Sequence, residues 1–139
     1  MNQTYQSNEK RMSQTDWSNL FKIKLSNIVE ESMDKHDIIK LLLVRKLLRK
    51  NKKRNWIRIY TEFKLNGCVP DVYFENIKTK EIVCYEIQKN FYKKWFEEKT
   101  KQYKNYESVN FTLDFIPINL KDCPDDIGKI NKFLDKFVC

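Results

Sequence analysis

The period of apolar positions changes several times along the chain, and each change marks an element. Residues 1–15, MNQTYQSNEKRMSQT, carry no period and predict a flexible N-terminal arm ahead of a single domain over residues 16–139. A loosely helical stretch follows, with Asp16 placed to cap it and Leu20, Ile23, Ile28 and Val29 as its apolar points. A clearer helix is expected over 37–50. There Ile38, Leu41, Leu42, Arg45, Leu48 and Arg49 recur at helical spacing, Val44 and Leu47 widen the face, and Asp37 is the expected cap. Alternation then predicts a strand at 56–63, with Ile57, Ile59 and Thr61 on one side and Arg58, Tyr60 and Glu62 on the other. Asn66-Gly67 marks a turn. Two further strands, 70–75 and 81–88, flank the polar ENIKTKE and form an antiparallel hairpin.

Residues 91–107 read as a second long helix, since Tyr92, Trp95 or Phe96, Lys99, Tyr103 and Tyr106 recur every three or four residues. A strand at 110–116 is expected to end at Pro117. A closing helix begins near Pro124, with Asp125 and Asp126 at its positive end and Ile127, Ile130, Leu134 and Phe137 as its buried stripe. The order helix, strand, strand, strand, helix, strand, helix predicts an α/β sandwich with a small mixed sheet covered on both sides.

Composition narrows the chemistry. The 139 residues are 41% hydrophobic and 33% charged, which suits one folded domain and excludes a disordered or collagen-like chain. The two glycines are too few for a phosphate-cradling glycine loop, which removes Rossmann and P-loop enzymes. The net charge of +8, from 27 basic and 19 acidic side chains, favours a polyanionic partner. Cys68, Cys84, Cys123 and Cys139 lack the paired spacing of a zinc site, and Cys84 in its alternating run reads as a buried free thiol. Without a signal-like or membrane-spanning stretch, a reduced, cytoplasmic protein is expected.

Three acids fall at strand positions: Glu62, Asp71 and Glu86. Asp71 and Glu86 belong to the two arms of one hairpin and are expected side by side, where they repel unless a cation such as Mg²⁺ joins them. Gln88 shares the face of Glu86. His36 reads as a capping or surface residue rather than a base, although a histidine before the first core helix could approach the site. Val69-Pro70-Asp71-Val72, followed by Tyr85-Glu86-Ile87-Gln88-Lys89, resembles the PD-(D/E)XK nuclease superfamily, and the element order over about residues 37–120 is similar to that family's. Gln102 and Tyr106 resemble the Q-x-x-x-Y signature of RecB-like members.

The resemblance implies a restriction-endonuclease-like three-layer sandwich, a central mixed β-sheet flanked by α-helices. It also implies one or two Mg²⁺ or Mn²⁺ ions held by Asp71, Glu86 and the Ile87 carbonyl, with Glu62 as an additional acid and Glu30 and Glu31 as weaker candidates. Gln102 and Tyr106 would lie near the substrate, although Tyr106 equally suits the helix–sheet core. One departure stands out: the family's lysine position is Gln88, which can orient water but supplies no charge. The resemblance allows glutamine there in an active member, and a lysine from elsewhere, Lys64, Lys93 or Lys99, could stand in.

The basic side chains gather in two places, Lys46, Arg49, Lys50 and Lys52 to Arg54, and Lys89 to Lys104, as phosphate-backbone contacts require. The expected function is therefore a metal-dependent endonuclease that hydrolyses phosphodiester bonds of DNA, with double-stranded DNA the expected partner. Sequence specificity is expected to be weak; selectivity for branched DNA would imply a homodimer. The competing reading is a catalytically silent nuclease-fold module that binds nucleic acid or a protein, and Gln88 is its main support.

Overall fold

Between Ile38 and Leu48 the chain is apolar on almost every side, so packing rather than period decides which face is buried. In the computed structural model, residues 24–25, 31–65, 67–106 and 110–138 are described, apart from the Ser32 side chain. The expected arm at 1–15, most of the helix expected from Asp16, and Glu30 lie outside the described residues; within that stretch Lys24 and Leu25 are described and are not helical. Helix α1 spans Glu31–Lys50, with Glu31 and Asp34 in its first turn and Arg49 and Lys50 in its last, as the helix dipole favours. It extends beyond the expected start, so Asp37 lies inside the helix and is not its cap. Its buried face also differs from expectation: Ile39, Lys40, Leu43, Val44 and Leu47 are buried, whereas Leu41 is 41% exposed and Arg45 is exposed.

Strands β1 (Ile57–Thr61), β2 (Val72–Asn76), β3 (Glu81–Gln88) and β4 (Thr112–Asn119) form one four-stranded sheet in that spatial order. The first two pairings are antiparallel and β3–β4 is parallel. Helix α2 (Lys93–Lys104) makes the crossover that a parallel pair requires. The hairpin turn between β2 and β3 is closed by Asn76, whose Oδ1 accepts the N–H groups of Lys78 and Thr79 at 3.0 Å each. Of the turn expected at Asn66-Gly67, Asn66 lies outside the described residues; Leu65 and Cys68 on either side pair through their backbones, and Gly67 has φ +93°. A Cβ there would also stand 3.1 Å from the Tyr106 hydroxyl oxygen, so glycine suits the position twice over.

Strand β4 continues past Pro117 to Asn119, contrary to the expected stop. It is an edge strand, where a proline is tolerated when its missing donor faces away from the neighbour. A short 3₁₀ turn, Leu120–Asp122, leads to α3 (Ile127–Phe133) and a second 3₁₀ turn, Leu134–Phe137. Asp126 caps α3 by accepting the Lys129 N–H at 3.0 Å. Ile130 and Leu134 are buried, but Ile127 is 58% exposed and does not join the stripe. Pro124 precedes the helix.

Two apolar layers sandwich the sheet. On one face, Ile39, Leu43, Val44 and Leu47 of α1 and Ile130 of α3 pack on Ile59, Val72, Phe74, Val83, Tyr85, Ile87 and Ile118. On the other, Tyr103 of α2 packs with Tyr73, Cys84 and Leu113. Among the described residues the fold is thus an α/β sandwich with an open mixed sheet and three α-helices. Cys84 is fully buried, and burial pushes its thiol up to about 12, as befits a core thiol. Among the described residues, no helix is long and apolar enough to cross a membrane.

The choice of α1 face has a direct test. Leu47→Ala should lower unfolding free energy by about 2–5 kcal/mol in a denaturant titration, and Leu41→Ala by about 0.5 kcal/mol or less. Equal losses would contradict the assignment.

Candidate functional site

The β2–β3 ladder ends with Val72 paired to Tyr85, so one step farther Asp71 lies across from Glu86. The Asp71 side chain extends the ladder: its Oδ2 accepts the Ile87 N–H at 2.7 Å. In an antiparallel pair a residue's N–H and C=O face the same neighbour, so the Ile87 carbonyl lies on the Asp71 side as well. Two carboxylates and one carbonyl therefore collect where the hairpin strands end.

Helix α1 brings cations to this end. His36 and Lys40, four residues apart, occupy consecutive turns of one face. The Nε2 of His36 lies 3.3 Å from Asp71 Oδ1, and its Nδ1 lies 3.1 Å from Asp37 Oδ1. Lys40 is 1% exposed. Its ammonium donates to Glu62 Oε2 at 2.8 Å and to the Lys24 carbonyl at 2.8 Å, and stands 3.9 Å from Asp71 Oδ1. Strict alternation would have put Glu62 on the α2 side with Tyr60. Instead Glu62 adopts φ +52° immediately after β1, and this left-handed residue turns its carboxylate towards Lys40. Left-handed geometry in a non-glycine costs of order 1–3 kcal/mol and concentrates at functional positions.

Helix α2 serves the other side. Glu86 is 8% exposed, and its Oε2 accepts from the Tyr103 hydroxyl at 2.6 Å and from the Lys99 ammonium at 3.1 Å. Burial pushes the Glu86 carboxyl up, with the Asp71 charge adding to it, while Tyr103 and Lys99 pull it part of the way back. Burial likewise pushes Asp71 up, but the His36 and Ile87 N–H bonds and the charges of His36 and Lys40 outweigh it, and the net shift is downward. The two carboxylates thus differ in character: Asp71 is the readily ionised one, and Glu86 holds a proton more strongly.

Gln88 turns away from the carboxylates and donates to the Asn90 carbonyl at 2.8 Å. Gln102 is exposed and accepts from the Cys68 thiol at 3.7 Å, and Tyr106 packs in the α2-side cluster beside Gly67. Neither makes the contact with Glu86 that Tyr103 and Lys99 make. Of the lysines weighed against the missing cation, Lys99 reaches a carboxylate, whereas Lys64 and Lys93 are exposed. Glu31 is exposed at the start of α1. His36, expected at a cap or on the surface, is 9% exposed and faces Asp71. Sequence reasoning missed Lys40 and Tyr103. The signal for Lys40 was available: residues 36, 40, 43, 44 and 47 share one helical face, and a lysine inside such a face needs a carboxylate partner.

Asp71, Glu86 and the Ile87 carbonyl are hard oxygen donors, a set that suits Mg²⁺ or Mn²⁺, which commonly bind one or two carboxylates and retain several waters. Among the described residues, no group of three or more His, Cys, Asp or Glu side chains is arranged to hold a metal. Two carboxylates and one carbonyl are a donor set that could hold Mg²⁺ with several waters retained.

The His36–Asp71 pair has a measurable signature. Burial pulls the imidazole down, but the Asp71 hydrogen bond and charge, with Asp37, outweigh it and raise it above 6.5. Its stabilising contribution is therefore complete below pH 6.5 and is lost as pH rises through the higher folded value. An NMR titration of the His36 ring in EDTA should give a midpoint above 6.5 in the wild type and a lower one in Asp71→Asn. A wild-type midpoint at or below 6.5 would contradict the pairing.

Comparison of the chain with protein-family models, with curated proteins and with solved structures found no match, so the chemistry of this site has to be argued from its own residues.

Proposed function

We propose that the protein is a metal-dependent endonuclease of the PD-(D/E)XK kind, with a restriction-endonuclease-like fold, that hydrolyses phosphodiester bonds of DNA. The observation that carries the reading is the Asp71–Ile87–Glu86 constellation at the end of the hairpin, flanked by Lys40, His36 and Lys99. A mixed sheet between α1 and α2, with these residues at the expected strand positions, agrees with it. Asp71, Glu86 and the Ile87 carbonyl would hold Mg²⁺ or Mn²⁺. When bound, such an ion supplies an acidified water and neutralises charge on the phosphoryl oxygens.

The protein's own residues divide the remaining work. The Lys99 side chain is 26% exposed and anchored to one carboxylate oxygen, so it can turn to a phosphate oxygen and provide the charge that Gln88 lacks. Lys40 cannot do this, because it is almost fully buried and tied to Glu62 and the Lys24 carbonyl. It acts as a positioning residue that keeps Glu62 and Asp71 at their places. Tyr103 fixes the Glu86 rotamer through its hydroxyl. His36 holds Asp71 from the opposite side and maintains its ionised form. The lysines of α2 and the exposed Arg49, Lys50, Lys52, Lys53 and Arg54 supply contacts to the phosphate backbone without reading bases.

One observation favours a second reading, a silent nuclease-fold module. Each carboxylate already faces a cation of the protein, and Gln88 is turned to Asn90.

Cleavage assays on linear, nicked and branched DNA with Mg²⁺ or Mn²⁺ separate the two readings. The wild type should cut, and Asp71→Asn and Glu86→Gln should abolish cutting while DNA affinity in EDTA is kept or slightly raised. Lys99→Met should slow cleavage by about 10²-fold or more, the usual loss for a transition-state electrostatic contact. A wild type inactive on all three DNAs in both metals would leave the silent module. Cleavage unchanged in both carboxylate variants would refute the site.

A further inference from the structure

Between α2 and the first half of β4 the molecule has a cavity that the proposed hydrolysis leaves unused. It measures about 260 Å³ and lies between α2 and β4, lined by Phe96, Thr100, Tyr103, Lys104, Asp114 and Phe115 among others. This is below the roughly 300–1,000 Å³ of pockets that enclose drug-sized ligands, and it suits a single planar ring system. Its aromatic walls belong to a near-parallel series. Phe115 and Tyr103 stack with centroids 4.8 Å apart and planes 16° apart. Phe96 and Phe115 lie at 6.1 Å and 26°, and Phe91 and Phe96 at 5.8 Å and 25°. Phe96 is 37% exposed, an apolar ring left partly in water at the cavity.

Tyr103 links the cavity to the carboxylates, because its ring lines the cavity and its hydroxyl donates to Glu86. Phe115 pairs with Cys84, two residues before Glu86 on β3, a distance of about 7 Å along the strand. The surroundings suit an anionic ligand bearing a ring: α2 carries five lysines against two glutamates, and Lys104 lines the cavity itself. A flat aromatic platform with a lysine at its side is the chemistry by which unpaired nucleotides are held.

We infer that this cavity between α2 and β4 receives one unpaired base of a DNA strand by stacking on Phe96, with Lys104 at the cavity as the cation for the adjoining phosphate. The inference rests on the proposed nuclease function and specifies its substrate as DNA with an unpaired segment, single-stranded or branched. A perfect duplex keeps its bases inside the stack and has to break a pair to fill the cavity.

The test uses the full chain in EDTA, with oligonucleotides carrying the fluorescent base 2-aminopurine. The wild type should bind a single strand more tightly than a duplex of equal length and should quench the unpaired fluorophore. Phe96→Ala should remove the quenching and weaken single-strand binding roughly tenfold or more, with duplex binding little changed. Thr100→Trp, at an exposed position, fills the cavity without removing a core side chain and should have the same effect. Phe96→Trp should retain quenching. Unaltered quenching in Phe96→Ala and Thr100→Trp, or equal losses for single strand and duplex, would overturn the inference. Because no cleavage is involved, quenching by a protein inactive in Mg²⁺ upholds the cavity and removes the nuclease proposal. Cleavage of perfect duplex with no quenching does the reverse.

Discussion

A buried ammonium must have oxygen at its donors, and Lys40 meets that demand by drawing three parts of the chain together. Its bonds to Glu62 and to the Lys24 carbonyl hold the segment before α1 and the end of β1 against the helix. The same Lys24 donates its N–H to Thr61 Oγ1 at 2.8 Å, so the junction is closed from both sides. Removing one partner of such a buried pair typically costs about 3–5 kcal/mol, because the other charge is left without compensation. The left-handed backbone of Glu62 is sustained by this contact, since strand alternation alone would have aimed the carboxylate to the opposite face. Asp71 is placed in turn, its Oδ1 facing Lys40 and His36 and its Oδ2 the Ile87 N–H.

From that anchor the site spreads across the end of the sheet with its charges in alternation. Glu62 and Asp71 are matched from α1, and Glu86 is matched from α2. The two helices lie on opposite faces of the sheet, so the carboxylates are approached from both layers of the sandwich. This accounts for their unlike behaviour. Asp71 is stabilised as an anion by a hydrogen-bonded imidazole and a backbone donor, whereas burial dominates at Glu86 and favours its protonated form. In the proposed enzyme, Glu86 would help hold the ion, and the partly exposed Lys99 ammonium beside it would be available to a phosphate oxygen.

The first strand was legible from its alternation, and the hairpin from two short apolar runs that flank an explicitly polar turn. The same hairpin yielded Asp71 and Glu86, whose neighbourhood follows directly from its register. Helix α1 was less legible: a segment apolar nearly all round has no unique stripe, and Lys40 on the buried face disguised the true one. Pro117 misled because a proline is prohibitive only inside a sheet and β4 is an edge strand. Glu62 was recognised as an acid near the site, but its left-handed turn left no sign in the alternation. Tyr103 was read as one more core aromatic. Its ring does pack in the core, and only its hydroxyl reveals the second role.

The central claim is that Asp71, Glu86 and the Ile87 carbonyl jointly hold a divalent ion. A crystal structure of the wild-type protein with Mn²⁺, using anomalous scattering to identify the ion, tests it most directly. The account predicts an anomalous peak with oxygen atoms of all three residues at about 2.1 Å, and the Lys99 ammonium withdrawn from Glu86. An absent peak, with Lys99 still bound to Glu86 at high Mn²⁺, or a peak held by other residues, would contradict it.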